Sequence, residues 1–122
     1  MAKEISLPNL LKKAQKVFNA YIRRRDADKP CITCPKYQIE HASHFYAAGQ
    51  YSALRFNDNN VHGSCLRCNY FKHGSGNLYR KNLINRIGEE KVLLLDSIAT
   101  RHRVKKWSRC ELELIINEYK NK

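Results

Sequence analysis

The chain has 122 residues, 43% of them hydrophobic, and sets 23 Lys and Arg against 11 Asp and Glu for a formal net charge of +12. That length is expected to make a single domain, residues 1–122, whose core is small enough to want a staple. The charge favours a polyanionic partner, while the lack of a spanning apolar run, lipidation signal or secretory leader predicts no membrane association and a cytoplasmic protein.

Residues 7–27 are expected to form an N-terminal helix. Leu7, Leu10, Leu11, Ala14, Phe18 and Tyr21 fall at the spacing of one buried stripe, with Ser6 as N-cap and Pro8 in the tolerant first turn. The helix runs into Arg23, Arg24 and Arg25, which are either a solvated, dipole-favoured end or a set of phosphate contacts. Lys29-Pro30 stops it, and the segment 31–77 follows. Tyr37 to Tyr46 has the composition of a strand, Leu54-Arg55-Phe56 reads as a short extended piece, and Asn57-Asp58-Asn59-Asn60 as a turn.

From Cys65 a short helix is expected, broken at Gly74-Ser75-Gly76. Residues 78–122 read as helical. Leu78 to Ile87 ends at Gly88, a natural C-cap, and a second helix runs from Glu89 to about Ala99. After a solvated basic linker from Thr100 to Lys106, Ser108 and Glu111 form a capping box that opens the last helix, striped by Leu112, Ile115, Ile116 and Tyr119. The fold class expected is therefore α+β, a small central core flanked by helices. Cys110 is expected to be a small buried apolar residue, and His62 a surface residue without a role.

Two Cys-x-x-Cys pairs, Cys31/Cys34 and Cys65/Cys68, bracket the central segment. A thiolate pair two residues apart grips one side of a tetrahedral ion, and a second pair completes a closed site with no place for water. The zinc expected there is structural. Closing it brings His41 and His44, which lie between the half-sites, near Asn69 and His73, which lie just beyond. Imidazole and amide groups meeting at one place suit a divalent cation with open positions, and a neighbouring neutral imidazole can take a proton from water. Those parts meet the needs of phosphodiester hydrolysis, but spacing alone leaves a purely structural knuckle as an equal alternative.

The order Cys-x-x-Cys, His, Asn, Cys-x-x-Cys-Asn resembles the His-Me finger (HNH) nucleases, including the four-cysteine zinc enzyme endonuclease VII of phage. The likeness to the phage NinG (Rap) recombination-protein family is closer. It rests on LLKKAQKVFNAYIRRRDADKPCITC, LRFNDNN, CLRCN, SGN, LINRIGEEKV and the Arg-His-Arg before the last helix, from about Leu10 onward. The resemblance implies a zinc-stapled ββα-metal core and a structure-selective endonuclease for branched recombination intermediates such as Holliday junctions or D-loops. It makes His44 the general base, Asn60 the brace of the loop and base, and Asn69 a cation ligand.

Where that family usually has Asp-x-Gly-His, this chain reads His41-Ala-Ser-His44. Imidazole in place of carboxylate removes a negative charge, so Mn2+, Ni2+ or Zn2+ becomes an alternative to Mg2+ in a catalytic site built on His41 and Asn69, with His73 as a further ligand or a phosphate contact. Glu40 is a second candidate ligand. Arg23, Arg24, Arg25, Arg55, Arg67, Lys72, Arg80 and Lys81 are the candidate contacts to branched or duplex DNA, which position the substrate without reading sequence. A junction's two-fold symmetry would suit a homodimer. Two rival classes stand beside this one: a zinc-dependent DNA-binding accessory protein without catalysis, and an RNA-binding zinc knuckle.

Overall fold

The computed structural model describes residues 4–70 and 76–122. The elements in chain order are α1 (Leu7–Arg25), β1 (His41–His44), a 3-10 turn (Ser52–Leu54), β2 (Val61–Ser64), α2 (Leu66–Tyr70), α3 (Gly76–Ile87), α4 (Glu89–Arg101) and α5 (Arg109–Tyr119). The architecture is α+β, helices around a two-stranded antiparallel sheet.

Ser6 starts α1 by accepting the Asn9 amide at 3.3 Å, and Pro8 sits in the first turn. Its buried positions, Leu10, Ala14, Phe18 and Ile22, recur every four residues. Leu7 lies outside that stripe and is 45% exposed. The helix ends at Arg25, two residues earlier than expected, because Asp26 leaves the helical conformation and is bonded into the sheet. At the other end of the chain Ser108 and Glu111 form the expected capping box, at 3.2 and 3.0 Å. The two helices pack together through aromatic rings. Phe18 meets Tyr119 edge-on at 4.8 Å and Tyr21 meets it at 4.9 Å. Arg24 then closes α5 by donating to the Tyr119 and Lys122 carbonyls, a cation at a helix C-terminus.

The hairpin lies between two apolar clusters. One joins α1 and α5 to Phe56, Val61 and Ala42. The other joins α3 and α4 to Ile32 and Leu54. Full burial of each large side chain is worth about 1.5–3 kcal/mol, so two small clusters need the polar and sulfur ties described below. Gly88 ends α3, its amide on the Ile84 carbonyl at 2.9 Å, and turns directly into α4 with φ +93°, a conformation that favours glycine.

Several expectations need correction. The strand predicted over Tyr37–Tyr46 is only His41–His44, because its partner β2 has four residues to offer. The piece at Leu54–Phe56 is not extended. Leu54 and Phe56 are buried in alternation, which imitates a strand, but the Leu54, Arg55 and Asn57 amides bond three residues back in successive tight turns. The short helix expected from Cys65 is α2, and α3 begins at Gly76 rather than Leu78; Gly74 and Ser75, where the break was expected, lie outside the described residues. Thr100 and Arg101 belong to α4 and not to the linker. Cys110 is exposed rather than buried, on the outer side of the first turn of α5. His62 is not a surface residue at all: it is 3% exposed.

Candidate metal centre and adjoining hairpin

The four paired cysteines come together as their spacing predicts. Their Sγ atoms all lie within 4.8 Å of one another, and Cys34 and Cys65 approach to 3.6 Å. A tetrahedral zinc with bonds of about 2.3 Å sets its sulfurs about 3.8 Å apart, so the cluster has the dimensions of a closed tetrathiolate site. Both pairs show the turn that serves such a site. The Thr33 amide points at Cys31 Sγ and the Cys68 amide at Cys65 Sγ, each at 3.4 Å. With the sulfurs so close, they do not ionise alike. Burial raises the Cys34 thiol, but bonds from the other cysteines and the Lys36 amide outweigh it and bring it down to about 7, while burial and the neighbouring thiols push Cys65 and Cys68 up. These four residues can hold a structural metal such as zinc.

The cluster ties the ends of the hairpin together. Cys31 and Ile32 lead towards β1, and the Ile32 amide bonds the Gly63 carbonyl of β2 at 3.0 Å. Cys65 and Cys68 launch α2, which carries Asn69 and packs against β1. The strands pair His41 with Ser64, Ala42 with Gly63, Ser43 with His62 and His44 with Val61. At its start the ladder slips: the Glu40 amide donates to the same Ser64 carbonyl at 2.9 Å, so two residues face one.

His44 closes β1. Its Nε2 lies 3.0 Å from the Arg55 carbonyl. A carbonyl only accepts, so Nε2 carries a proton, and in the neutral form of the ring the lone pair is on Nδ1. Asn60, fully buried, fastens both sides of this contact. Its Oδ1 accepts the Tyr46 amide at 2.8 Å, and its Nδ2 donates to the Tyr46 and Leu54 carbonyls at 3.0 and 3.1 Å. Tyr46 lies two residues past His44, and Leu54 one before Arg55, so one side-chain amide sets the loop that positions the imidazole.

His41 stands three residues before His44, and regular alternation puts the two on opposite faces of β1. Its Nε2 is buried with no hydrogen-bond partner among the described residues, and so is the hydroxyl of its cross-strand partner Ser64. Glu40 is exposed. Lys72 and His73 lie outside the described residues.

The candidate DNA contacts divide sharply. Arg23, Arg67 and Lys81 are exposed. Arg24 is engaged in capping α5, and Arg80 grips Asp96 with both terminal nitrogens at 3.0 and 2.7 Å. Tyr46 donates its hydroxyl to the same carboxylate, which with burial raises the phenol to about 12. Arg55 donates Nη1 to Gln15 and has no carboxylate partner among the described residues.

Arg25 is spent on a network that sequence reasoning missed. Its guanidinium forks onto Asp26 at 2.8 and 2.9 Å and reaches the Asp58 and Val61 carbonyls and His62 Nδ1. Asp26, fully buried, also accepts the Gly63 amide at 2.8 Å. Burial would raise its pKa, but the Arg25 and Gly63 hydrogen bonds hold it at about 2. His62 Nε2 donates to the Asn59 carbonyl at 3.0 Å, and burial and the Arg25 charge lower the ring to about 4, so it is neutral near pH 7. This network bolts the end of α1 to β2. Its one signal in the sequence is an acid directly behind three arginines at a helix end.

The family model described as Bacteriophage Lambda NinG protein matches residues 3–122. The protein ninG of Escherichia phage lambda is 42% identical over 116 residues, covering 92% of this chain and 54% of that protein. Those of Escherichia phage 933W and Salmonella phage P22 are 41% and 39% identical over 116 residues, with 92% of this chain and 55% of each relative covered. The chain thus spans about half the length of the relatives it matches. No solved structure matches. With the family model running across nearly every residue, the chain belongs to the NinG family.

Proposed function

We propose that this chain is a metal-dependent DNA endonuclease acting on branched recombination intermediates, such as Holliday junctions or D-loops, in the cytoplasm of the phage's host. The observation that carries the reading is the His44–Arg55 contact, in which Nε2 donates to the carbonyl, so that a neutral ring would hold its lone pair on Nδ1, the tautomer a general base requires. Asn60 holds that form in place. The cysteine cluster keeps α2 and Asn69 against the strand that bears His44 and does no chemistry itself.

Asn69 and His41, with His73, would hold the divalent cation, Mg2+ or Mn2+, which when bound neutralises charge on the scissile phosphate. The donors fit such an ion in one respect: His41 Nε2 is a buried nitrogen without a partner among the described residues. The register is regular from His41 to His44, so His41 stands on the face of β1 opposite His44. His44 takes a proton from water, the water oxygen bonds to phosphorus in line, and the opposite ester oxygen departs. Arg23, Arg67 and Lys81 contact the backbone, and a net charge of +12 draws the polyanion in.

The rival reading, a zinc-dependent DNA binder without catalysis, draws on His41 offering a neutral imidazole where a hard cation favours a carboxylate. One experiment separates the two. A four-way DNA junction is incubated with the protein and a series of divalent ions, alongside His44→Ala. Ion-dependent cleavage that disappears in the variant while junction binding survives supports the nuclease. Binding without a nick under any ion supports the rival.

A further inference from the structure

A slot of about 360 Å³ opens beside the hairpin, floored by Leu11 and Leu112 and walled by Leu7, Trp107, Arg55 and Lys106. That volume falls in the range of small-ligand sites, about 300–1,000 Å³. Apolar surface lines its depth and cations stand at its wall and rim. Neither Arg55 nor Lys106 is paired with a carboxylate among the described residues, and Arg55 Nε has no hydrogen-bond partner there. The indole is fixed in orientation: Nε1 donates to the Ser52 carbonyl at 2.9 Å and the ring meets Phe56 edge-on at 4.9 Å. Over the ring, 4.9 Å from its centroid, lies the Lys105 ammonium. That cover is also held by Glu111, Nζ to Oε2 at 2.6 Å, but the pair is solvent-exposed and of the kind that contributes little, so a flat ligand can displace the ammonium.

An occupant that is flat and apolar in the middle and anionic at its edge satisfies both features. We propose that this slot receives one unpaired nucleobase of a DNA strand, held against the Trp107 ring with its phosphate between Arg55 and Lys106. Stacking on an aromatic side chain beside a cationic groove is the general means of gripping single-stranded DNA. The location gives it purpose. Arg55 supplies the slot with its side chain and His44 with its carbonyl, so the two sites share a residue. A strand whose base is seated in the slot passes its backbone over His44, and only DNA with an unpaired base at a branch can do so without paying for unstacking. The inference rests on the DNA reading above for its ligand class, and it supplies what that reading lacks, a reason for structure selectivity.

Trp107 is the only tryptophan, so its fluorescence reports the slot directly. The test titrates the whole protein, without added divalent ion, with a single-stranded oligothymidylate, an abasic strand of equal length, and a blunt duplex. Saturable quenching by the oligothymidylate alone supports the proposal. Equal quenching by the abasic strand, or none by any, overturns it. Leu7→Glu places a carboxylate at the mouth of the slot. The site is 45% exposed and lies in the first turn of α1, where a negative charge suits the helix, so folding survives. Its affinity for the oligothymidylate should fall about tenfold, near the value of one stacked base; unchanged affinity overturns the proposal. Quenching without cleavage of any junction would leave the slot standing and remove the nuclease, whereas cleavage by a Leu7→Glu variant as selective as the parent would do the reverse.

Discussion

Asn60 and Tyr46 exchange two hydrogen bonds, Tyr46 N–H to Oδ1 at 2.8 Å and Nδ2–H to the Tyr46 carbonyl at 3.0 Å. The side-chain amide thereby imitates a peptide group, adding a rung to the ladder after the last one made by backbone, Phe45 to Asn60. Replacing Asn60 by Asp keeps the acceptor and loses the donor, setting a carboxylate against two buried carbonyls, those of Tyr46 and Leu54. The cost should be on the order of 3 kcal/mol. Chemical denaturation of Asn60→Asp and Asn60→Ala measures it; a loss confined to the Ala variant would show that donation by Nδ2 contributes little.

The cysteine cluster should make folding depend on metal. Structural zinc contributes about 10–16 kcal/mol of apparent binding free energy in small finger domains, more than the marginal stability of a domain this size. A strong chelator should unfold the protein, and Cys65→Ser should prevent folding even with zinc in excess. Mass spectrometry under native conditions should find one zinc bound to the cluster. A folded, metal-free Cys65→Ser variant would refute the structural role.

His62 gives acid sensitivity a definite window. Its pKa falls from 6.5 in the ordinary state to about 4 in the fold, so between those values the unfolded chain binds a proton that the folded one refuses. Stability must drop as pH falls from about 6.5 to 4, by up to roughly 3 kcal/mol from this group. Asp26 acts lower: held at about 2 rather than 3.8, it favours the fold above the ordinary value and loses that contribution only as pH falls towards 2. Melting curves of the parent and His62→Gln at each pH separate the imidazole from acid release of zinc, which both share. Parallel curves would show that His62 does not set the slope.

Gly63 is a position where size decides. A Cβ there would lie 2.6 Å from Ile39 Cδ1 and 2.9 Å from Cγ2. Gly63→Ala therefore forces Ile39 aside and strains the amide that Asp26 holds, for an expected cost of about 1–3 kcal/mol. The double variant Gly63→Ala, Ile39→Val removes one of the colliding methyls and should recover part of the loss in the same denaturation assay; no recovery would locate the strain in the backbone.

The elements legible in the sequence were those written locally. Ser108 and Glu111 declare a helix start within four residues, and the cysteine pairs declare a cluster because each pair is itself a turn. The segment Leu54–Phe56 misled because burial in alternation arises from tight turns as well as from strands. The Asp26 network was invisible for another reason. Arg25 is half-buried and His62 buried only because α1 packs on β2, and no short-range pattern announces which of three adjacent arginines turns inward. Similarly, the pairing that sets His41 apart from His44 depends on strand register, and the slip at Glu40 is a property of two strands together.

The exposed sulfur of Cys110 makes the protein its own stoichiometric reporter. Of five thiols, one stands outside the cluster, so a maleimide dye should mark a single site while metal is held and all five once it is stripped under denaturing conditions. Counting labels per molecule would then measure the occupied fraction of any preparation, and the same handle, on the first turn of α5, offers a place to attach a fluorophore for following a DNA strand past Trp107.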